Sequence, residues 1–166
     1  DSGAAVITMN SSGSGTTINT GTGTFTATIS TKSTSGDITL DNVTAGALVV
    51  TNNGTTAGSD ILGNVGGALD IAGTSSFTTA ASGADITLNT ATNDFTGSVT
   101  FAASSGSIAS VTINDSNALE LQTLTTTGNL TVTAGGNITD SGTVTVGGNL
   151  AATTNDNNGA IDLGTL

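Results

Sequence analysis

The chain has no cysteine, proline, histidine, tryptophan or tyrosine, and Phe25, Phe77, Phe95 and Phe101 are its only aromatic residues. Each absence removes a class of behaviour. Without cysteine there is no disulfide framework and no thiolate nucleophile. Without histidine, cysteine or tyrosine no side chain is suited to act as base, nucleophile or acid near neutral pH, and without arginine nothing clamps a charged substrate. Paired carboxylates can hydrolyse glycosides, but the acids here fall one per segment. The expectation is a protein that is not an enzyme.

Positive charge is nearly missing too. Lys32 stands against 12 acidic residues, giving a net charge of −11 and a pI of about 4.1. Such a chain cannot build the cationic face that neutralises phosphates, so nucleic acid is excluded as a partner and anionic membranes are disfavoured. No apolar run is long enough to span a bilayer and no signal-peptide core is visible, so membrane insertion is not expected. The chain opens on Asp1 rather than Met, which points to a processed form or a piece of a longer protein. The acids are dispersed along the sequence, the pattern of a solvated surface.

What is present is strand-forming. Apolar residues make up 35% of the chain and mean hydropathy is +0.19, which argues against a disordered polar linker. The triplets Ile38-Thr39-Leu40, Leu69-Asp70-Ile71, Ile86-Thr87-Leu88, Val99-Thr100-Phe101, Val111-Thr112-Ile113, Leu119-Glu120-Leu121, Leu130-Thr131-Val132, Val144-Thr145-Val146 and Ile161-Asp162-Leu163 alternate apolar, polar, apolar. Period two places one face in a core and the other in solvent. Turn signals such as Asn52-Asn53-Gly54, Gly66-Gly67, Gly135-Gly136-Asn137 and Gly147-Gly148-Asn149 separate these runs. No stretch carries helical spacing with a cap, so the chain should be strand and turn throughout. With few aromatics, the core should be built of Val, Ile, Leu and Ala, which fill a narrow space between close sheets.

The runs repeat. GNLTVTAGGNITDSGTVTVG (Gly128–Gly147) leads into GNLAATT from Gly148, and GALVV, GALDI, NALEL and GNLTV begin at Gly46, Gly67, Asn117 and Gly128. A strand formula reused at roughly 20 residues or slightly more is the mark of a β-solenoid, in which each coil lies on a near copy of itself. The expected architecture is all-β: one solenoid domain over 1–166 with about seven or eight coils and a rod on the order of 35–40 Å long. Irregular intervals imply loops or wider coils in the first half. Repeats are clearest over 83–166. Residues 1–23 are the least periodic and are expected to form a cap or an exchanged strand.

The strings GNLTVTAGGNITDSGTVTVGGNL and ASGADITLNTATNDFTGSVTF resemble the repeats of large bacterial surface proteins related to filamentous haemagglutinin. The resemblance implies a right-handed parallel β-helix, exported to the extracellular space or the cell surface as an adhesin or fibre shaft. It identifies no adhesion target; surface glycans and host or neighbouring cell surfaces are the partners it allows. A chain with few edge-blocking residues, of which Lys32 is the candidate guard, should also self-associate end to end or by strand exchange.

The alternative is a ligand-binding surface domain, with carbohydrate, calcium or ice as the ligand. For calcium the candidate oxygens are those of Asn155, Asp156, Asn157 and Asn158, set against the ordinary role of such residues in solvated turns. The calcium-binding nonapeptide is absent, with only a partial echo in Gly66-Gly67-Ala68-Leu69-Asp70. For ice, Thr131-Val132-Thr133, Thr143-Val144-Thr145 and Thr24-Phe25-Thr26 put paired hydroxyls on one face, although alternation in a threonine-rich strand yields such pairs by default. Asparagines in successive coils should form hydrogen-bonded ladders. Asn-x-Ser/Thr triplets at Asn10, Asn42, Asn53, Asn114, Asn129 and Asn137 are expected by chance in this composition.

Overall fold

Val, Ile, Leu and Thr at alternating positions, broken every few residues by Gly and Asn, give strands too short to stand alone, and the chain solves this by coiling each onto the last. The structure, a computed structural model, describes residues 7–8, 17–30, 36–63 and 66–164. Among these residues there are twenty strands and no helix, and every strand pairing is parallel. The strands stack into three sheets that wrap one core, a β-solenoid of about 6 turns with roughly 23 residues per turn. Sheet A contains Ile7–Thr8, Ile38–Leu40, Ile61–Gly63, Ser82–Leu88 and Ser107–Asp115. It then forks: Leu124–Thr126 and Val144–Val146 follow one end of Ser107–Asp115, and Leu130–Ala134 and Leu150–Thr154 follow the other. Sheet B holds Ile18–Asn19, Val43–Ala45, Leu69–Ile71 and Asp94–Phe95, and sheet C runs from Thr24–Ile29 through Ala47–Asn52, Ser75–Thr79, Val99–Ala103, Leu119–Leu121 and Ile138–Asp140 to Ile161–Asp162.

Register shows how the width of a coil changes. Sheet A aligns Ile7, Ile38, Ile61, Ile86, Val111, Leu130 and Leu150, so successive coils take 31, 23, 25, 25, 19 and 20 residues. The expected seven or eight coils assumed the narrow repeat throughout. The first four coils are wider because they carry sheet B, which ends at Asp94–Phe95. Six steps at about 4.8 Å give a rod about 29 Å long.

The core is a set of axial columns. Ile38, Ile61, Ile86, Val111 and Leu130 form one, and Leu40, Leu88, Ile113 and Val132 are buried beside them. It is not made only of small side chains. In the wide coils Phe77 stacks on Phe101 at 5.6 Å and meets Phe95 edge-on at 6.3 Å, which fills the extra width that sheet B opens. Leu130 and Val132 point inward as the alternation requires, with Thr131 and Thr133 on the outer face, while Val146, in the coil between Leu130 and Leu150, is only half-buried against the core. Of residues 1–23, Ile7–Thr8 and Ile18–Asn19 pair in parallel with the second coil. The rest of the proposed cap before residue 17, together with Lys32 and Asn10, lies outside the described residues.

Glycine serves the corners through close approach. Gly46, Gly73 and Gly97 succeed one another between sheets B and C, and a Cβ at Gly73 would strike the carbonyl of Gly46, while one at Gly97 would strike Gly73. Only hydrogen fits between coils there.

Candidate functional site

Asn155, Asp156, Asn157 and Asn158 occupy one exposed turn between Leu150–Thr154 and Ile161–Asp162. The Asp156 carboxylate accepts the Asn158 amide at 3.1 Å, Thr154 Oγ1 accepts the Asp156 amide at 3.3 Å, and the Gly159 amide donates to the Asp156 carbonyl at 3.1 Å. The four residues are therefore brought together, but as a self-bonded turn with a single carboxylate. Among the described residues no three acidic side chains converge as a metal cluster would require.

A second polar feature runs the length of the rod. On sheet A the residue just before each of the aligned Ile38, Ile61, Ile86, Val111 and Leu130 accepts, through its side chain, the amide of its counterpart one coil on. Asp37 Oδ1 takes the Asp60 amide at 3.1 Å, Asp60 that of Asp85 at 2.9 Å and Asp85 that of Ser110 at 3.0 Å. Ser110 Oγ then takes the Asn129 amide at 3.3 Å, and Asn129 Oδ1 that of Asn149 at 2.9 Å. The expected asparagine ladder is thus a staircase of side chain to main chain, shared with aspartate and serine. Burial, and then the neighbouring carboxylates of Asp37 and Asp85, push Asp60 above its ordinary value against the opposing hydrogen bond from Asp85.

Buried side chains at the other corners do related work. Asn52 donates to the carbonyls of Gly36 and Asp60 at 2.8 and 3.0 Å, and Asn93 accepts the Leu69 amide while donating to the Leu88 carbonyl, both at 3.0 Å. Asp115 uses Oδ1 for the amides of Phe95 and Asn117, leaving a buried Oδ2 with no protein partner. Burial raises its carboxyl above the usual range, with a smaller push from Asp94.

The outer faces carry threonine in axial rows. On sheet C one row is Thr26, Val49, Ser76 and Thr100, and the next is Thr28, Thr51, Thr78 and Ala102. Thr24-Phe25-Thr26 belongs to this array. Thr131 and Thr133 lie instead on sheet A, where the row Thr39, Leu62, Thr87, Thr112, Thr131 and Ala151 is interrupted by leucine, and Thr145 pairs with Thr125 on the other branch of the fork. The sequence pairs therefore do not share a single face.

The final coil is the third surface. Among the described residues, Leu150–Thr154 and Ile161–Asp162 are each paired on one side only, and Leu150 and Ile161 are the large apolar side chains left open, at 37% and 47% exposure. Their edge amides and carbonyls are the groups to which a further parallel strand would bond.

Coils of varied width on a conserved corner plan describe a divergent repeat, and a family of repeats of unknown function (DUF5649) matches residues 28–102 and 109–165. The chain belongs to this family. The break between the two DUF5649 stretches falls at the corner between Val99–Ala103 and Ser107–Asp115, next to the level where the coil loses sheet B and narrows. No curated protein and no solved structure matches the DUF5649 chain.

Proposed function

We propose that these repeats form a structural or adhesive module without enzymatic turnover, the shaft of a fibre or filament on a bacterial surface, of the filamentous-haemagglutinin kind. The observation that carries the reading is the coil-on-coil register. Each described coil lays parallel strand edges and an apolar column on the next, and the last described coil offers a like surface through Leu150 and Ile161. A strand laid on that edge gains main-chain bonds and covers small apolar side chains, so it needs no aromatic anchor. The dispersed acidic charge suits a solvated rod surface. Sedimentation velocity over rising protein concentration tests the reading. Growing rods that revert to a single species in the Leu150→Lys, Ile161→Lys double variant are expected, and a strictly single species for the unaltered chain at all concentrations overturns end-to-end stacking.

A further inference from the structure

The wide half of sheet C carries a feature that a shaft does not require. Eight outward positions on four successive coils, Thr26, Thr28, Val49, Thr51, Ser76, Thr78, Thr100 and Ala102, are all uncharged and none is larger than valine. The coil strand that opens this face, Thr24–Ile29, adds Thr24 beside Ala47. Twelve acids and one lysine are spread over this chain, yet none stands in the two rows. Some hydroxyls elsewhere are used internally: Thr126, Thr127 and Thr154 bond to carbonyls, as do Ser104 and Ser105. Among the described residues no protein group bonds the hydroxyls of Thr26, Thr28, Thr51, Ser76, Thr78 or Thr100.

The rows form a grid whose spacing is set by the backbone, about 4.8 Å between coils and about 6.6 Å between alternate residues of a strand. Each threonine offers a methyl, which orders the water around it, next to a hydroxyl that holds water as donor and acceptor.

Size and charge narrow the occupant. The face measures about 300 Å² from those spacings, well under the roughly 800 Å² per partner of a stable protein interface, and has no Trp, Tyr or Arg to act as an anchor. A neutral face on a chain of net charge −11 selects a neutral partner. Sugar recognition asks for a concave site with convergent polar groups and apolar ring contacts, and an outward sheet face of short side chains without an aromatic ring supplies neither. A solid water lattice suits the face: it is neutral and periodic, and the hydroxyls keep water as their partner, so none is desolvated.

We propose that the outer face of sheet C, over the first four coils, binds ice. The test grows an ice hemisphere slowly from a dilute solution of the full chain, labelled at its amino terminus, and measures the protein held in the ice. Thr28→Tyr and Thr78→Tyr, made separately, raise a ring above the face, and Thr131→Tyr does the same on sheet A as a control. Circular dichroism melts verify that each variant keeps its coils, and Thr28, the more exposed site, serves should Thr78→Tyr unfold. The expected result is that the unaltered chain and Thr131→Tyr enter the ice while the two sheet C variants are excluded. Exclusion of the unaltered chain overturns the proposal, as does entry of the sheet C variants. Retention on crystalline cellulose or chitin, lost in Thr78→Tyr, with no entry into ice assigns the face to a polysaccharide and also overturns it. Filament growth through the final coil is read separately, so either outcome leaves that test intact.

Discussion

Asp115 leaves one carboxylate oxygen buried without a protein partner, and Asp60 sits in the staircase with a carboxylate on each side. Both groups titrate above the ordinary value of 3.8, which means the folded chain holds their protons more tightly than the unfolded chain does. Their contribution to stability is therefore complete below about pH 4 and is lost as pH rises through the folded values. Melting temperature should climb as pH is lowered from about 7 towards about 4.5, in step with relief of the general acidic repulsion. A melting curve that falls over this interval would count against the assignment. Asp115→Asn keeps the acceptor for Phe95 and Asn117 while removing the buried charge, so it should stabilise the chain at neutral pH by on the order of 1 kcal/mol. Val132 and Thr131 offer the sharper contrast. Val132→Asp places an unpaired charge among buried neighbours and should cost about 3–5 kcal/mol, whereas Thr131→Asp on the outer face should shift the melt little.

At the level of the element, the strands were open to reading and their assembly was less so. Each alternating triplet from Ile38-Thr39-Leu40 to Val144-Thr145-Val146 is a strand with its apolar members turned to the core, because alternation is a local property and needs no knowledge of neighbours. Sheet B was legible at Leu69–Ile71 alone: Val43–Ala45 ends on a small side chain and Asp94–Phe95 has only two residues, so neither shows two large apolar residues in alternation. The staircase escaped for a different reason. Asp37, Asp60 and Asp85 look like isolated acids ahead of strands, and only the register of 23 and 25 residues stacks them. The sheet C rows advance by 23, 27 and 24 residues, so no fixed period aligns Thr26 with Val49, Ser76 and Thr100. The Asn155–Asn158 turn was visible as a cluster, but its internal bonds depend on backbone geometry that composition does not carry. Corners give an element-scale prediction. Gly73→Ala must push apart two coils at a main-chain contact and should lower stability by about 1–3 kcal/mol, while Ala72→Ser at the exposed neighbouring position should be close to neutral in the same urea titration.

For the whole molecule, charge and edge compete. The chain repels its copies through a net charge of −11 and attracts them through unpaired strand edges. Salt screens the first and leaves the second intact, so light scattering should rise, not fall, as ionic strength goes from about 0.01 M to about 0.15 M. A decrease would mean that association is electrostatic and does not run through the final coil. The main-chain bonds that join coil to coil point along the rod, so a pull on the two ends loads them head-on, one ring at a time. Extension under force should then proceed as a sequence of small yields, and no single rupture should empty the molecule. A ring of 25 residues lengthens by about 85 Å when drawn out and a ring of 19 or 20 by about 65 Å. The spacing of the steps would tell the experimenter which end of the rod had come undone.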